Sequence, residues 1–444
     1  MRLRQRVQIK VQQVLASGLS VLERGLRGVS LNLLDPRLAR DPYPFFNRLR
    51  EKAPIHYSIA MRVWWVTPFE YVQEVLRDKR FGSDVRKFPE RVKKILPQLD
   101  EERRERFEHP SMLNSDPPDH TRLRRLVSQG FVHKFIQSLE PRIRAIVDAC
   151  LHRVDNDATF DVIDVLAKPL PAIVIAEMMG LPESDHAQFQ AWSEDLIDGS
   201  NTNDIERIDK AVAAESALID YFRRIVASRR SAPGDDLVGM LIRAEEDGDT
   251  LTERELYNTC LLLLVAGHET TTRLIGNGVF LLLRHGRWNA LRAHPERIPI
   301  AIEEMLRFEP PVQATQRFVL EDLDFHGKPM KRGDIVLVSI AGGNRDPQAN
   351  PEPDRFDIGR EKVNQVSFGY GIHLCIGASL ARLEAKVTFE KLLADFPNLA
   401  LCDPEPQWGD NPIFRGHRKL WVRKSAEDPH RNPRMPDPAA ASTR

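Results

Sequence analysis

Apolar residues recur at helical spacing from position 252 onward, through Leu261, Leu262, Leu263, Leu264 and Val265 and on to Leu281, Leu282 and Leu283. The run opens on Thr252-Glu253-Arg254-Glu255, the form of a capping box, in which a hydroxyl and a carboxylate satisfy the first free backbone donors. A helix of about 30 residues, roughly 45 Å long and apolar on several sides, has to pass through the centre of its protein. Strand-like patterning is confined to residues 63–67, 315–320 and 335–340, which are rich in β-branched and aromatic side chains, with turn residues filling 322–334. The rest is helix-periodic without repeats or a long Gly/Ser linker, so the expected fold is mainly α with small β-sheets.

Three segments follow from the same pattern: a leader over 1–30, a single domain over 31–424 and a Pro-, Asp- and Arg-rich tail over 425–444 expected to be disordered. The leader is basic and amphipathic. Arg2, Arg4, Arg6, Lys10, Arg24 and Arg27 stand against the single acid Glu23, and Val7, Val11, Val14, Leu15, Leu19, Val21, Leu22 and Leu26 recur at roughly helical spacing. Such a helix packs on its own domain or lies on an anionic membrane surface. A cleaved signal peptide is a third reading, weakened because Gln5, Gln8, Lys10, Gln12 and Gln13 interrupt any long apolar run.

Composition narrows the classes. The 444 residues hold 64 Lys+Arg and 64 Asp+Glu, and a net charge of +0 excludes binding nucleic acid by bulk excess of basic charge. Cys150, Cys260, Cys375 and Cys402 form no CxxC pair and no zinc spacing, which fits a reducing, cytoplasmic setting. The richest apolar run, 261–266, is far short of the roughly 20 residues of a membrane span.

Two clusters carry chemistry. The middle of the long helix reads Ala266-Gly267-His268-Glu269-Thr270-Thr271-Thr272, polar where burial is costly. Gly267 lowers helix propensity there and leaves room for a large flat group, although hydroxyls bonding back to carbonyls and bending the helix would also account for the threonines. A zinc-protease reading of His268-Glu269 needs a second histidine at 272, where Thr272 stands. The second cluster is Phe368-Gly369-Tyr370-Gly371-Ile372-His373-Leu374-Cys375-Ile376-Gly377, followed by a helical pattern. Its glycines permit a tight loop that presents sulfur just before a helix N-terminus, where backbone N–H groups favour thiolate.

With these residues the chain resembles the cytochrome P450 family: FGYGIHLCIG is similar to its cysteine-ligand loop and AGHETT to its oxygen-binding helix. Glu304-Met305-Leu306-Arg307 resembles the ExxR helix, Asn350-Pro351-Glu352-Pro353-Asp354-Arg355-Phe356 the segment whose Arg completes that network, and residues 116–125 the opening of the helix that carries propionate ligands. The resemblance spans about residues 42–422. It implies that Cys375 is the axial thiolate of haem b, that Phe368 shields the sulfur, and that Gly369, Gly377, Ala266 and Gly267 let loop and helix approach the ring. It assigns His120, Arg124, Arg317 and His373 to the haem propionates, and Glu304, Arg307 and Arg355 to a structural network.

Thr270 is then expected to hydrogen-bond dioxygen at the iron, and Glu269 to connect to a proton path. The implied activity is insertion of one atom of O2 into a small apolar substrate by hydroxylation or epoxidation, the protein acting as a monomer. Electrons from NAD(P)H would arrive through a reductase and a ferredoxin or flavodoxin, docking near Arg122, Arg125 and Arg382. Val265, Ala266, Val312, Ala314, Ile413, Phe414 and part of 88–113 would wall the substrate pocket, with the stretch that holds Arg103, Arg104, Glu105 and Arg106 acting as a mobile lid, recognising an acidic group or forming a solvated helix face. Dehydration, coupling or rearrangement on the same haem, and a non-catalytic haem-based binder or sensor, are the alternatives.

Overall fold

The helix at the centre of the molecule runs Glu253–Arg284 for 32 residues and opens on the Thr252–Glu255 capping box. The computed structural model describes residues 18–25, 28–30, 35–200, 202, 204–246 and 251–424. Leu256, Cys260, Leu264, Ile275 and Leu282 are buried on successive faces of this helix, and it packs against Pro169–Met178, Ile298–Phe308 and Ala378–Asp395. Small residues set these crossings. A side chain at Gly276 would collide with Ile163, and one at Gly278 with Phe389 and Met305, so the glycines that cost helix propensity allow close approach.

The strand-like segments come together in one sheet. Strands β1 (Ile55–Ser58), β2 (Val63–Val66), β3 (Phe81–Gly82), β5 (Ala314–Val319) and β8 (Ile335–Ser339) lie in the order β1-β2-β8-β5-β3. The β2 and β8 strands are parallel, pairing Trp65 with Leu337, and β5 and β8 are antiparallel, pairing Gln316 with Leu337. Residues 322–334 are more than a turn. They hold the hairpin β6 (Leu323–Phe325) and β7 (Lys328–Met330), whose Leu323, Phe325 and Met330 are buried around a positive-φ His326-Gly327 corner. Three-residue strands are too short to show alternation in sequence. Strand β10 (Trp421–Arg423) sits between β4 (Thr159–Asp161) and β9 (Ala400–Leu401), tying the C-terminal end to the middle of the chain.

Residues 18–25 are helical and pack on β1 through Glu23, 3.0 Å from His56. The segments 1–17 and 425–444, and with them the expected tail and most of the leader, lie outside the described residues. Among the described residues no helix is long and apolar enough to cross a membrane.

Candidate haem-thiolate site

The cysteine loop is built by its glycines. Gly369 and Gly371 have φ of 73° and 69°, a region that penalises a side chain, and a Cβ on Gly371 would collide with the carbonyl of Leu76. Cys375 N–H closes the loop on the Phe368 carbonyl at 2.8 Å. Burial pushes the Cys375 thiol up, while the N–H groups of Gly377 and Ala378 and the guanidinium groups of Arg124 and Arg382 pull it down. These opposing donors at the start of helix Ala378–Asp395 suit a thiolate ligand, which an anion-stabilising helix N-terminus favours. Arg382 also stacks over Phe368, 4.4 Å from the ring centre.

Cationic and neutral donors converge beside the loop. His120 and His373 rings lie 4.3 Å apart, and Ser83 Oγ is 3.2 Å from His373 Nε2. Both ring nitrogens of His120 are buried with no hydrogen-bond partner among the described residues. Arg317 is deeply buried with no carboxylate in ion-pair contact among the described residues, its N–H groups reaching the Gln316 carbonyl and Thr315 Oγ1. Burial lowers Arg317 to about 10, and burial followed by the Arg317 charge drives His373 to about 3. Burial first, then Arg124, lowers His120. Arg124, one turn beyond His120, donates to the Leu374 carbonyl at 2.6 Å. Buried donors without acceptors are costly, and two carboxylates of a haem would answer the need of His120 and Arg317. The apolar Ile372 and Leu374 of the loop keep accessible surface, as does Ala266 on the central helix. Donor set, sulfur and apolar surfaces all fit haem.

A Cβ on Gly267 would lie 3.1 Å from Ile175 Cγ1, so the missing side chain also serves the crossing with helix Pro169–Met178, and Ala266 beside it is exposed. Next along the helix, Glu269 is buried and accepts from Arg273 at 3.1 Å. Thr270 is half-buried, its hydroxyl bonded back to the Ala266 carbonyl at 3.0 Å. Back-bonding is therefore real at Thr270, and also at Thr272, which donates to the His268 carbonyl at 3.1 Å. On the helix that follows the cysteine loop, both carboxyl oxygens of Glu384 are buried without a hydrogen-bond partner among the described residues.

The ExxR pair is fully buried: Arg307 reaches Glu304 with two bonds of 2.7 and 2.9 Å. Arg307 also donates to the carbonyls of Asn344, Pro353 and Arg355. Arg355 is a correction. Its guanidinium is half exposed against Glu352 and Asp357, and only its carbonyl joins the network. Arg360 supplies the second cation, Nε 3.2 Å from Glu304 Oε1, because the turn at 357–359 folds it back over the helix while 355 faces outward. Asn344 and Ser367 then tie this helix to the cysteine loop, with Val366 N–H bonded to Asn344 Oδ1 and Ser367 Oγ to the Leu306 carbonyl.

The wall residues Val312 and Phe414 form an isolated bridge, and Gln313 N–H bonds the Ile413 carbonyl at 2.8 Å. The charged stretch 103–106 holds its helix in place: Arg103 and Arg106 pair with Glu215 and Glu105 with Arg254. Arg122 and Arg382, expected on a docking face, are engaged by Glu255 and Glu303. Arg360, Ser83 and Glu384 escaped the sequence reading, and nothing in their local pattern marks them.

A fold of this kind with a single cysteine loop, a cationic pocket beside it and an acid–alcohol pair on the central helix defines a haem-thiolate protein. The chain belongs to the cytochrome P450 family, whose model matches residues 62–289 and 298–408. It is 41% identical over 401 residues to cytochrome P450 107B1 of Saccharopolyspora erythraea, with 88% of this chain and 97% of the relative covered. Cytochrome P450 monooxygenase PikC of Streptomyces venezuelae is 40% identical, with 89% and 94% covered. The crystal structure of myxobacterial CYP267B1 in complex with myristic acid matches with a TM-score of 0.82 at 36% identity, over 88% of this chain and 98% of that one. The protein is a cytochrome P450 monooxygenase by family.

Proposed function

We propose that this enzyme inserts one atom of dioxygen into a small apolar molecule by hydroxylation or epoxidation, with electrons from NAD(P)H passed through a reductase and a separate ferredoxin or flavodoxin. A haem held by Cys375 would supply reduction and activation of dioxygen. The observation that carries the reading is the acid–alcohol pair: Glu269 is buried and held by Arg273, and Thr270 beside it keeps its hydroxyl on the open side of the central helix, one turn from exposed Ala266. Such a pair sets a carboxylate able to relay a proton beside a hydroxyl, which oxygen chemistry needs and a binder or sensor does not. His120, His373, Arg124 and Arg317 would hold the propionates, and Phe368 and Gly377 flank the sulfur. Val265, Val312, Ile413 and Phe414 give the substrate wall an apolar character, and the fatty-acid complex of the structural relative supports an apolar ligand.

The test is the ferrous carbon monoxide difference spectrum of the purified protein beside Cys375→Ser, then turnover of myristic acid with a ferredoxin, its reductase and isotope-labelled dioxygen. A Soret band at the thiolate position that disappears in the variant, with one labelled oxygen in the product, is expected. A histidine-type spectrum, or reduction of dioxygen without incorporation for any apolar substrate, would overturn the reading.

A further inference from the structure

The helical residues 18–25 lie on the sheet with their amphipathic sense reversed. Ser20 and Glu23, three positions apart, face inward, and Glu23 is 1% exposed. Its carboxylate stands 3.0 Å from His56 Nε2 and accepts from Ile59 N–H at 3.1 Å, with Ser58 Oγ also donating to it. A buried carboxylate is tolerated only where partners meet it, so this contact sets which side of the helix meets the protein. The apolar side chains are left outside: Val21 is 73% and Leu22 58% exposed, and Leu19 and Ile59 extend the patch. Large exposed apolar groups clustered on one face mark an interaction surface.

Charge identifies the occupant. Residues 1–28 carry Arg2, Arg4, Arg6, Lys10, Arg24 and Arg27, and Glu23 is their only acid. With Glu23 engaged by His56, no acid of this segment remains to face outward. Lys52 beside Gly28, and Arg62 just after Ile59, are exposed cations of the domain next to the helix. Exposed apolar side chains flanked by the cations Arg24 and Arg62, on a segment whose sequence is otherwise basic, match an anionic lipid surface, where headgroups meet the cations and the interface takes the side chains. The helix also precedes the family match, which begins at residue 62.

We propose that residues 18–25 together with Ile59 form a docking face that lays this enzyme on an anionic membrane without crossing it. The test uses the full-chain holoprotein in flotation with vesicles of phosphatidylcholine alone and of phosphatidylcholine with phosphatidylglycerol. Wild type is compared with a Leu19→Ser/Val21→Ser/Leu22→Ser variant and with Ile59→Ser, each first shown to keep the wild-type carbon monoxide spectrum. Binding to the anionic vesicles only, weakened by salt and at least about tenfold by the triple substitution, is expected. Three results would overturn the proposal: no flotation, equal flotation of the triple variant, or a wild-type dimer that the substitutions convert to monomer without any vesicle binding, which would make a second copy the occupant.

Discussion

Arg360, five residues past the position that the motif points to, brings its Nε within 3.2 Å of Glu304, while Arg355 turns to Glu352 and Asp357. Glu304 and Arg307 are fully buried, so every remaining lone pair on Glu304 has to be met inside the protein: Asp357 N–H and Arg360 do so at 2.8 and 3.2 Å. Removing one partner of a buried charge cluster costs about 3 kcal/mol, whereas a half-exposed surface pair contributes less than about 1 kcal/mol. Arg360→Ala should therefore lower the thermal midpoint and the haem content of purified protein, and Arg355→Ala should leave both close to wild type. Glu304→Ala, which strands two guanidinium groups, should yield little haem-loaded protein. Equal losses for the two arginine variants would return the role to Arg355.

Arg317 separates stability from haem retention. Among the described residues it is buried without a carboxylate in contact, so in protein stripped of haem it is a desolvated cation held by neutral acceptors. Arg317→Leu should raise the stability of the apoprotein by about 1 kcal/mol while speeding haem loss to an apomyoglobin acceptor several-fold. A variant less stable as apoprotein and unchanged in haem transfer would show that Arg317 is a packing residue.

The local geometry of the candidate site was legible because it is set within a few residues. The Gly369–Gly377 frame, the capping box at Thr252 and the Glu304–Arg307 spacing are each set within one turn or loop, and the structure holds them as read. Arg355 fails because its role depends on how a later segment folds back, and the turn at 357–359 decides which arginine reaches Glu304. The same holds for the leader, where helical spacing was visible and the inward turn of Glu23 toward His56 was not.

Thr270 offers a kinetic test. Its hydroxyl already has one partner in the Ala266 carbonyl at 3.0 Å, so it can donate elsewhere only by leaving that bond, and it can accept while keeping it. Thr270→Ala should lower product formed per NAD(P)H by at least about tenfold, in the range of lost general acid–base assistance, with hydrogen peroxide making up the difference. Thr270→Ser keeps the hydroxyl and should recover most coupling. The carbon monoxide spectrum should be unchanged in both, and unchanged coupling in the alanine variant would remove Thr270 from the proton path.

Stability should depend on pH through two buried groups of opposite sense. Burial raises Glu384 to about 8, and both its carboxyl oxygens lie without a hydrogen-bond partner among the described residues. Its folded form keeps a proton that the unfolded chain releases near 4.5, so its contribution is full below that pH and is lost as pH rises to about 8. His417 is driven to about 3 by burial first and the Arg415 charge second. Folded protein leaves it neutral where the unfolded chain takes up a proton near 6.5, so its contribution is full above 6.5 and is lost as pH falls toward 3. Urea unfolding of the holoprotein between pH 6.5 and 8 should show stability falling with pH, and Glu384→Gln, which stays neutral, should flatten that slope. His417→Phe should leave this limb intact and weaken the decline below pH 6.5. An unchanged alkaline slope in Glu384→Gln would mean that Glu384 is ionised in the folded protein, with an unseen donor holding its charge.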